Sequence, residues 1–375
     1  MQDLTSEEDR LFEMAVAFLE GIGPVLARNL ISYCGTAKAI FSCKKRHLEK
    51  IPGIGPERAS AIVRSNALQM AEKEMLFISR NNIKSLFLSD KAYPRRLKQC
   101  DDAPVVIYYK GQAELNPGRL IAVVGTRHIT TYGRDTIMSF IDELKAYEVT
   151  IVSGLAYGVD ITAHKESLRL GIPTIGVTAH GLDRIYPAAH RSVAEKMMHD
   201  GGFLTEYPSG TNPDRDNFPA RNRIVAGMTD ATVVIESAVR GGALITAEFA
   251  NDYNREVFAF PGRTGDTYSK GCNALIRNNK AILIESAAQL AEAMNWNLDT
   301  ASRSQVVQMD LFADLSPMQE KVSHCLRGSG WKHLDTIALE CHEAVSLVSA
   351  ALLELEFKGL VGTGPGKMFR ILTEK

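Results

Sequence analysis

The sequence predicts an α/β protein built around a parallel sheet with helices on both faces. Three observations predict it. Between about residues 86 and 297, short β-branched runs alternate with amphipathic stretches. A glycine-rich phrase occurs twice within the first 85 residues. The chain closes with three helical stretches and two β-like runs around a Gly-Pro-Gly turn.

Residues 1–85 are helical by pattern. They contain LEGIGPVLARNLI (19–31) and IPGIGPERASAIV (51–63), each with apolar residues at helical spacing after a Gly-Ile-Gly-Pro turn. Glycine permits the tight turn and proline suits the first helical position. The pair reads as two helix-hairpin-helix motifs. Such a pair serves either as a packing module or as a phosphate site made of backbone N–H groups.

In residues 86–297, strands are expected at 120–125, 149–154, 173–178, 231–237, 256–262 and 281–285, with helices at 133–146, 159–170 and 242–253 among them. Near-continuous apolar strands separated by helices imply a sheet buried on both faces. Glycines cluster where the strands end, in VVGTR, VSGLAYG, TAHGLD and FPGRTG. That edge of an open parallel sheet is where ligands bind, so the core is Rossmann-like.

A polar linker spans 298–316. Residues 317–375 then offer helices at 317–327, near 332–340 and near 342–358, followed by LVGTGPGKMFRIL. Three helices and a hairpin outline a small winged-helix-like domain. Its third helix, HEAVSLVSAALLELEFKG, in the place of a recognition helix, is acidic and apolar, which suits protein contact better than phosphate contact.

Composition narrows the function. The net charge of the 375 residues is −1, so any nucleic-acid binding rests on a local groove rather than a basic domain. No apolar run reaches the roughly 18 residues of a membrane span. The acidic start MQDLTSEEDRLFEMA lacks the features of a signal peptide, so a cytoplasmic location is expected. Six scattered cysteines without a CxxC pair fit a reducing compartment and no metal site. Neither GxGxxG nor a Walker lysine motif occurs, so no nucleotide cofactor is expected.

The glycine-rich edge carries the candidate site. VVGTRHITTYGR (123–134) sets Gly125, Thr126 and Arg127 between a strand and a helix, where backbone N–H groups, helix dipole and guanidinium converge on an anion. In SGLAYGVDITAH (153–164), Asp160 and His164 stand four apart and are expected to hydrogen-bond in a structural role. In TEYPSGTNPDRDNFPARNRIVAG (205–227), prolines 208, 213 and 219 interrupt regular structure, so Arg215, Phe218, Arg221 and Arg223 are expected to project from a loop and a helix start. A helix dipole disfavours cations in its first turn, and such local conflicts mark functional sites. Arginine forks suit phosphates, and a phenylalanine face suits a base.

The ordered motifs VGTR, SGLAYGVDITAH, GLDRIYP, EYP, FPARNRIVAG, VVIES, GGALITAEFA, REVFAFPG and GCNALI resemble the bacterial DNA-processing protein A (DprA/Smf) family over about residues 86–290. The resemblance implies a non-enzymatic protein that binds single-stranded DNA, dimerises through its Rossmann-like domain and loads RecA recombinase during natural transformation. Carried over by position, it implies a groove made of Gly125, Thr126, Arg127, Arg215, Phe218, Arg221, Asn222 and Arg223, with no catalytic residue. Arg191, Arg240 and Lys270 are candidate additional DNA contacts. Two departures from the family pattern stand out: His190 replaces the asparagine of a YPxxN motif, and RGGALITA (240–247) replaces SGSLITA.

Two further readings remain. GGALITAE (241–248) distantly resembles the PGGxGTxxE phrase of nucleotide phosphoribohydrolases, an enzymatic alternative that needs Glu248 in the cleft. QMDLF (308–312) in the linker matches the form of a sliding-clamp-binding peptide through Gln308, Leu311 and Phe312, unless Leu311 and Phe312 simply pack on the winged helix.

Overall fold

The two glycine-rich phrases fold as near copies in the computed structural model, which describes residues 7–296, 315–326, 331–358, 360–364 and 367–371. Gly21 and Gly53 take positive φ values of 71° and 83°, a conformation glycine adopts without steric cost. Gly23 and Gly55 then cap helices Pro24–Cys34 and Pro56–Arg64 with closely matched backbone angles, and each helix starts on its proline. Arg58 joins the copies by donating from Nη1 to Gly53 O (2.9 Å) and from Nε to Gly21 O (3.2 Å).

Helix Ala67–Arg80 leads from the hairpins into a nine-stranded sheet. The strands are β1 (Lys84–Phe87), β2 (Val106–Gly111), β3 (Leu120–Val124), β4 (Thr150–Ser153), β5 (Thr174–Val177), β6 (Gly202–Thr205), β7 (Ala231–Val234), β8 (Glu256–Ala259) and β9 (Ile282–Leu283). Their order is β1-β2-β6-β5-β4-β3-β7-β8-β9. From β6 to β9 every pairing is parallel, whereas β2 pairs antiparallel with β6 and β1 with β2. All six expected strands are present, and β1, β2 and β6 extend the sheet beyond them.

Alternation along β3 shows why its sequence is apolar throughout. Leu120, Ala122 and Val124 enter one core layer, while Ile121 and Val123 enter the layer on the opposite face. The helical segment has its own apolar core, completed by Phe87 of β1 and by Val106 and Tyr108 of β2. Hairpins and sheet therefore belong to one compact unit, Met1–Leu298. The expected division at residue 85 falls inside β1.

The second unit, Asp299–Lys375, contains helices Pro317–Leu326, Leu334–Cys341 and Val345–Phe357. A small antiparallel sheet is formed by β10 (Lys332–His333), β11 (Val361–Gly364) and β12 (Met368–Ile371) in the order β10-β12-β11. This is the winged-helix outline. Helix Val345–Phe357 carries no lysine or arginine and exposes Leu347, Leu353 and Phe357. Among the described residues no single helix is long and apolar enough to cross a membrane.

Candidate nucleic-acid interface

The chain runs outward in space from β3 through β4 and β5 to β6, then returns to place β7 on the other side of β3. Such a reversal opens a crevice at the carboxyl ends of the strands. A cavity of about 660 Å³ lies there, lined by residues that follow β3 (Gly125, Thr126, Arg127), β4 (Gly154) and β7 (Ala238, Gly241). Helix Asn217–Gly227 and the loop before it close one wall with Arg215, Phe218, Arg221 and Asn222. The structure thus brings together seven of the eight residues expected in the groove.

Arg127 and Arg215 are exposed, and the Arg127 guanidinium lies over the Phe218 ring, 5.5 Å from its centroid. Tyr186, 46% exposed, stands 6.1 Å from Phe218 between ring centroids. Tyr186 enters the sequence pattern only as part of the GLDRIYP motif, and no local signal marks His128 and Tyr268, which stack on each other and also line the cavity. Exposed rings beside arginines are the hardware of a single-strand site, because every base has a face to stack.

Burial changes the account of the motif's other arginines. Arg221 and Arg223 were expected to project, yet they are 5% and 8% exposed. The Arg221 Nη1 donates to Val177 O, and Nε donates to Asn222 Oδ1 at 3.2 Å. Burial lowers its pKa, opposed by the negative charge of Asp160. Burial likewise raises the Asp160 pKa, and Arg221 opposes that shift. A Cβ added to Gly154 would come within 2.7 Å of Arg221 Nη2, so only glycine leaves the pair its space. Arg221 presents one buried, counterbalanced charge to the cavity wall.

Arg223 does not line the cavity. Its Nη2 pairs with Glu206, Nη1 donates to Asp102 O at 2.5 Å, and Nε lies 3.8 Å from Asp102 Oδ2. Burial raises the Glu206 pKa, and the charge of Arg223 acts against that rise. Arg223 fastens its helix to the fold.

The anion site expected at Gly125–Arg127 is also partly taken by the protein itself. Thr126 N donates to Glu236 O at 2.7 Å, and Thr130 N donates to Glu236 Oε2 at 2.9 Å at the start of helix Thr131–Leu144. An internal carboxylate therefore meets that helix dipole. Helix Gly242–Asp252 instead brings its own N-terminus to the cavity through Gly241 and Gly242, with no side-chain cap.

The expected Asp160–His164 bond is absent. His164 reaches Thr174 Oγ1 from Nδ1 at 2.7 Å and Gly154 O from Nε2 at 2.6 Å. With Nε2–H donating to the carbonyl, Nδ1 accepts from the hydroxyl, which is the neutral tautomer. Burial lowers the His164 pKa to about 4. Its position, inside the fold and under the strand ends, is structural.

Arg191 lines a separate cavity of about 270 Å³ with Lys110, Arg184 and Glu195. Arg240 and Lys270 are exposed and lie one and two positions from the groove-lining Gly241 and Tyr268 without lining the groove themselves. Glu248 is exposed and lies 3.7 Å from Lys280 rather than in the cleft. Gln308, Leu311 and Phe312 fall outside the described residues. Among the described residues no group of three His, Cys, Asp or Glu side chains could hold a metal ion.

All three segments of the chain match known families. The family model for DNA recombination-mediator protein A matches residues 84–295. Models for a SAM-like helix-hairpin-helix tandem and for the DprA winged helix domain match residues 14–65 and 313–367. Protein Smf of Synechocystis sp. is 31% identical over 402 residues, covering 97% of this chain and 99% of that protein. The X-ray structure of DNA processing protein A from Streptococcus pneumoniae is similar with a TM-score of 0.65 and 31% identity, covering 76% of this chain and 97% of that one. DNA processing protein A from Helicobacter pylori, whose structure is described as giving insights into a unique single-stranded DNA binding mode, has a TM-score of 0.52 and 27% identity, covering 57% of this chain and 97% of that one. With the three matched segments in the order the structure shows, the chain belongs to the DNA recombination-mediator protein A family, that of the DprA and Smf proteins.

Proposed function

We propose that this chain is a cytoplasmic, non-catalytic protein that binds single-stranded DNA in the groove at the β3–β7 reversal. In this reading it acts as a homodimer that protects incoming strands and loads RecA recombinase during natural transformation. The observation that carries it is the pairing of exposed Arg127 and Arg215 with the stacking faces of Phe218 and Tyr186 around one cavity. Phosphates pair with the guanidinium forks and a base meets a ring, an arrangement indifferent to sequence. A duplex hides its base faces in the stack, so a groove lined in this way prefers single strands.

A phosphoribohydrolase reading gains nothing from the site, since Glu248 is turned to solvent and paired with Lys280. A gel-shift series of the full chain with oligo-dT and with a duplex of equal length, at two salt concentrations, tests the binding claim. The single strand is expected to bind tighter at both salts. Equal or tighter duplex binding overturns the reading. For RecA, filament assembly on coated single strands should accelerate when the chain is added, and no acceleration removes the loading role.

A further inference from the structure

We propose that Glu74, on helix Ala67–Arg80 of the helical segment, is a positioning residue for the DNA groove and acts through the loop that carries Arg215. This rests on the groove reading above. Glu74 is 5% exposed, an uncommon position for a carboxylate unless it is paired or hydrogen-bonded. Its partners all lie on one distant residue. Ser209 N donates to Oε1 at 3.0 Å and to Oε2 at 3.1 Å, and Ser209 Oγ donates to Oε2 at 2.5 Å.

Ser209 opens a short relay toward the groove. Thr211 N donates to Pro208 O (3.3 Å), Asp214 N to Asn212 O (2.9 Å), and Asn217 N to Asp214 O (3.1 Å). Asn217 is the first residue of the helix that carries Phe218 and Arg221. The loop therefore reaches the groove through consecutive tight turns rather than slack chain. From the core side it is held by Asp183, which accepts from Gly210 N at 3.0 Å, and by Arg184, which donates to Asn212 Oδ1 at 2.6 Å. Glu74 supplies the matching hold from the helical segment.

Arg215 is exposed and extends from this loop, so its position depends on how the loop backbone is held. Without Glu74, the Ser209 N–H has no acceptor and the turn at Pro208–Thr211 is fastened from one side only. The helical segment thus contributes to strand binding without touching the strand.

The test is a double-mutant cycle in the full chain, reading oligo-dT affinity for Glu74→Ala, Arg215→Ala and the pair, together with amide hydrogen exchange. Glu74→Ala is expected to weaken binding at least about fivefold, and the double variant to bind no more weakly than Arg215→Ala alone, since residues acting as one unit are not additive. Exchange over residues 209–217 is expected to speed up while the hairpins at 19–34 and 51–64 stay protected. Ser209→Ala removes one of the three bonds from the loop side and is expected to give a smaller effect of the same kind, which covers the case in which Glu74→Ala folds poorly. Unchanged exchange at 209–217, or losses that multiply in the double variant, overturn the inference. Faster exchange at 209–217 with unaltered binding by Arg215→Ala supports the anchoring and overturns the groove instead.

Discussion

Arg127, from the segment after β3, and Phe218, from helix Asn217–Gly227, stand 91 positions apart in sequence and meet in the groove with the guanidinium 5.5 Å from the ring centroid. The pair is assembled before any strand arrives. In the proposed reading a base entering between them would exchange one stacking partner for another, so affinity is expected to depend on both residues together.

Replacing Phe218 by alanine is expected to cost about 1–3 kcal/mol of oligo-dT binding. Arg127→Ala should weaken binding and reduce the slope of log K against log salt by about 0.7, the value for one phosphate contact on a single strand. Fluorescence anisotropy over a salt series measures both. Full affinity and an unchanged slope in both variants would remove the pair from the site.

Arg223 behaves differently because its charge is spent inside the fold. Arg223→Ala leaves Glu206 buried and unpaired, so the expected result is a loss of about 3–5 kcal/mol of stability by urea unfolding. Any remaining folded protein should keep the native salt slope. A normal unfolding midpoint with a reduced slope would return Arg223 to the strand.

His164 gives a pH dependence whose sign follows from its burial. Its folded pKa of about 4 lies below the unfolded value near 6.5. Its contribution is therefore complete above about pH 6.5 and is lost as pH falls toward 4, by up to about 3 kcal/mol. The raised pKa values of Asp160 and Glu206 act in the opposite direction over the acid range. The comparison is thus between the native chain and His164→Gln, whose stability should fall less steeply between pH 6.5 and 5. Parallel curves would show that His164 is not held neutral.

The site is also expected to be chemically silent. Incubation with nucleoside 5′-monophosphates should release no free base, with Glu248→Gln indistinguishable from the native chain. Turnover lost in Glu248→Gln would make the protein an enzyme.

Much of this was legible in the sequence where local signals decide the structure. The apolar runs of β3, β4, β5, β7 and β8 announce strands buried on both faces, and the prolines at 24 and 56 announce helix starts. Strand β6, with only Gly202–Thr205, owes its place to pairing with β5 and β2 rather than to its own pattern. The arginines were the harder case. Arg223 reads as surface hardware until Asp102, 121 positions away, and Glu206 are seen around it. Glu236 likewise reads as a strand-end acid, and only the fold shows it closing the helix N-terminus that the VGTR motif offers to an anion.

Photocrosslinking tests the central claim most directly. Oligo-dT carrying 5-iodouracil is bound by the full chain, irradiated, and the attached peptide mapped by mass spectrometry. Attachment is expected at Phe218 or Tyr186, in reduced yield at limiting protein when Arg127 is replaced by alanine. Attachment confined to the hairpins at 19–34 and 51–64 or to residues 317–371 would contradict it.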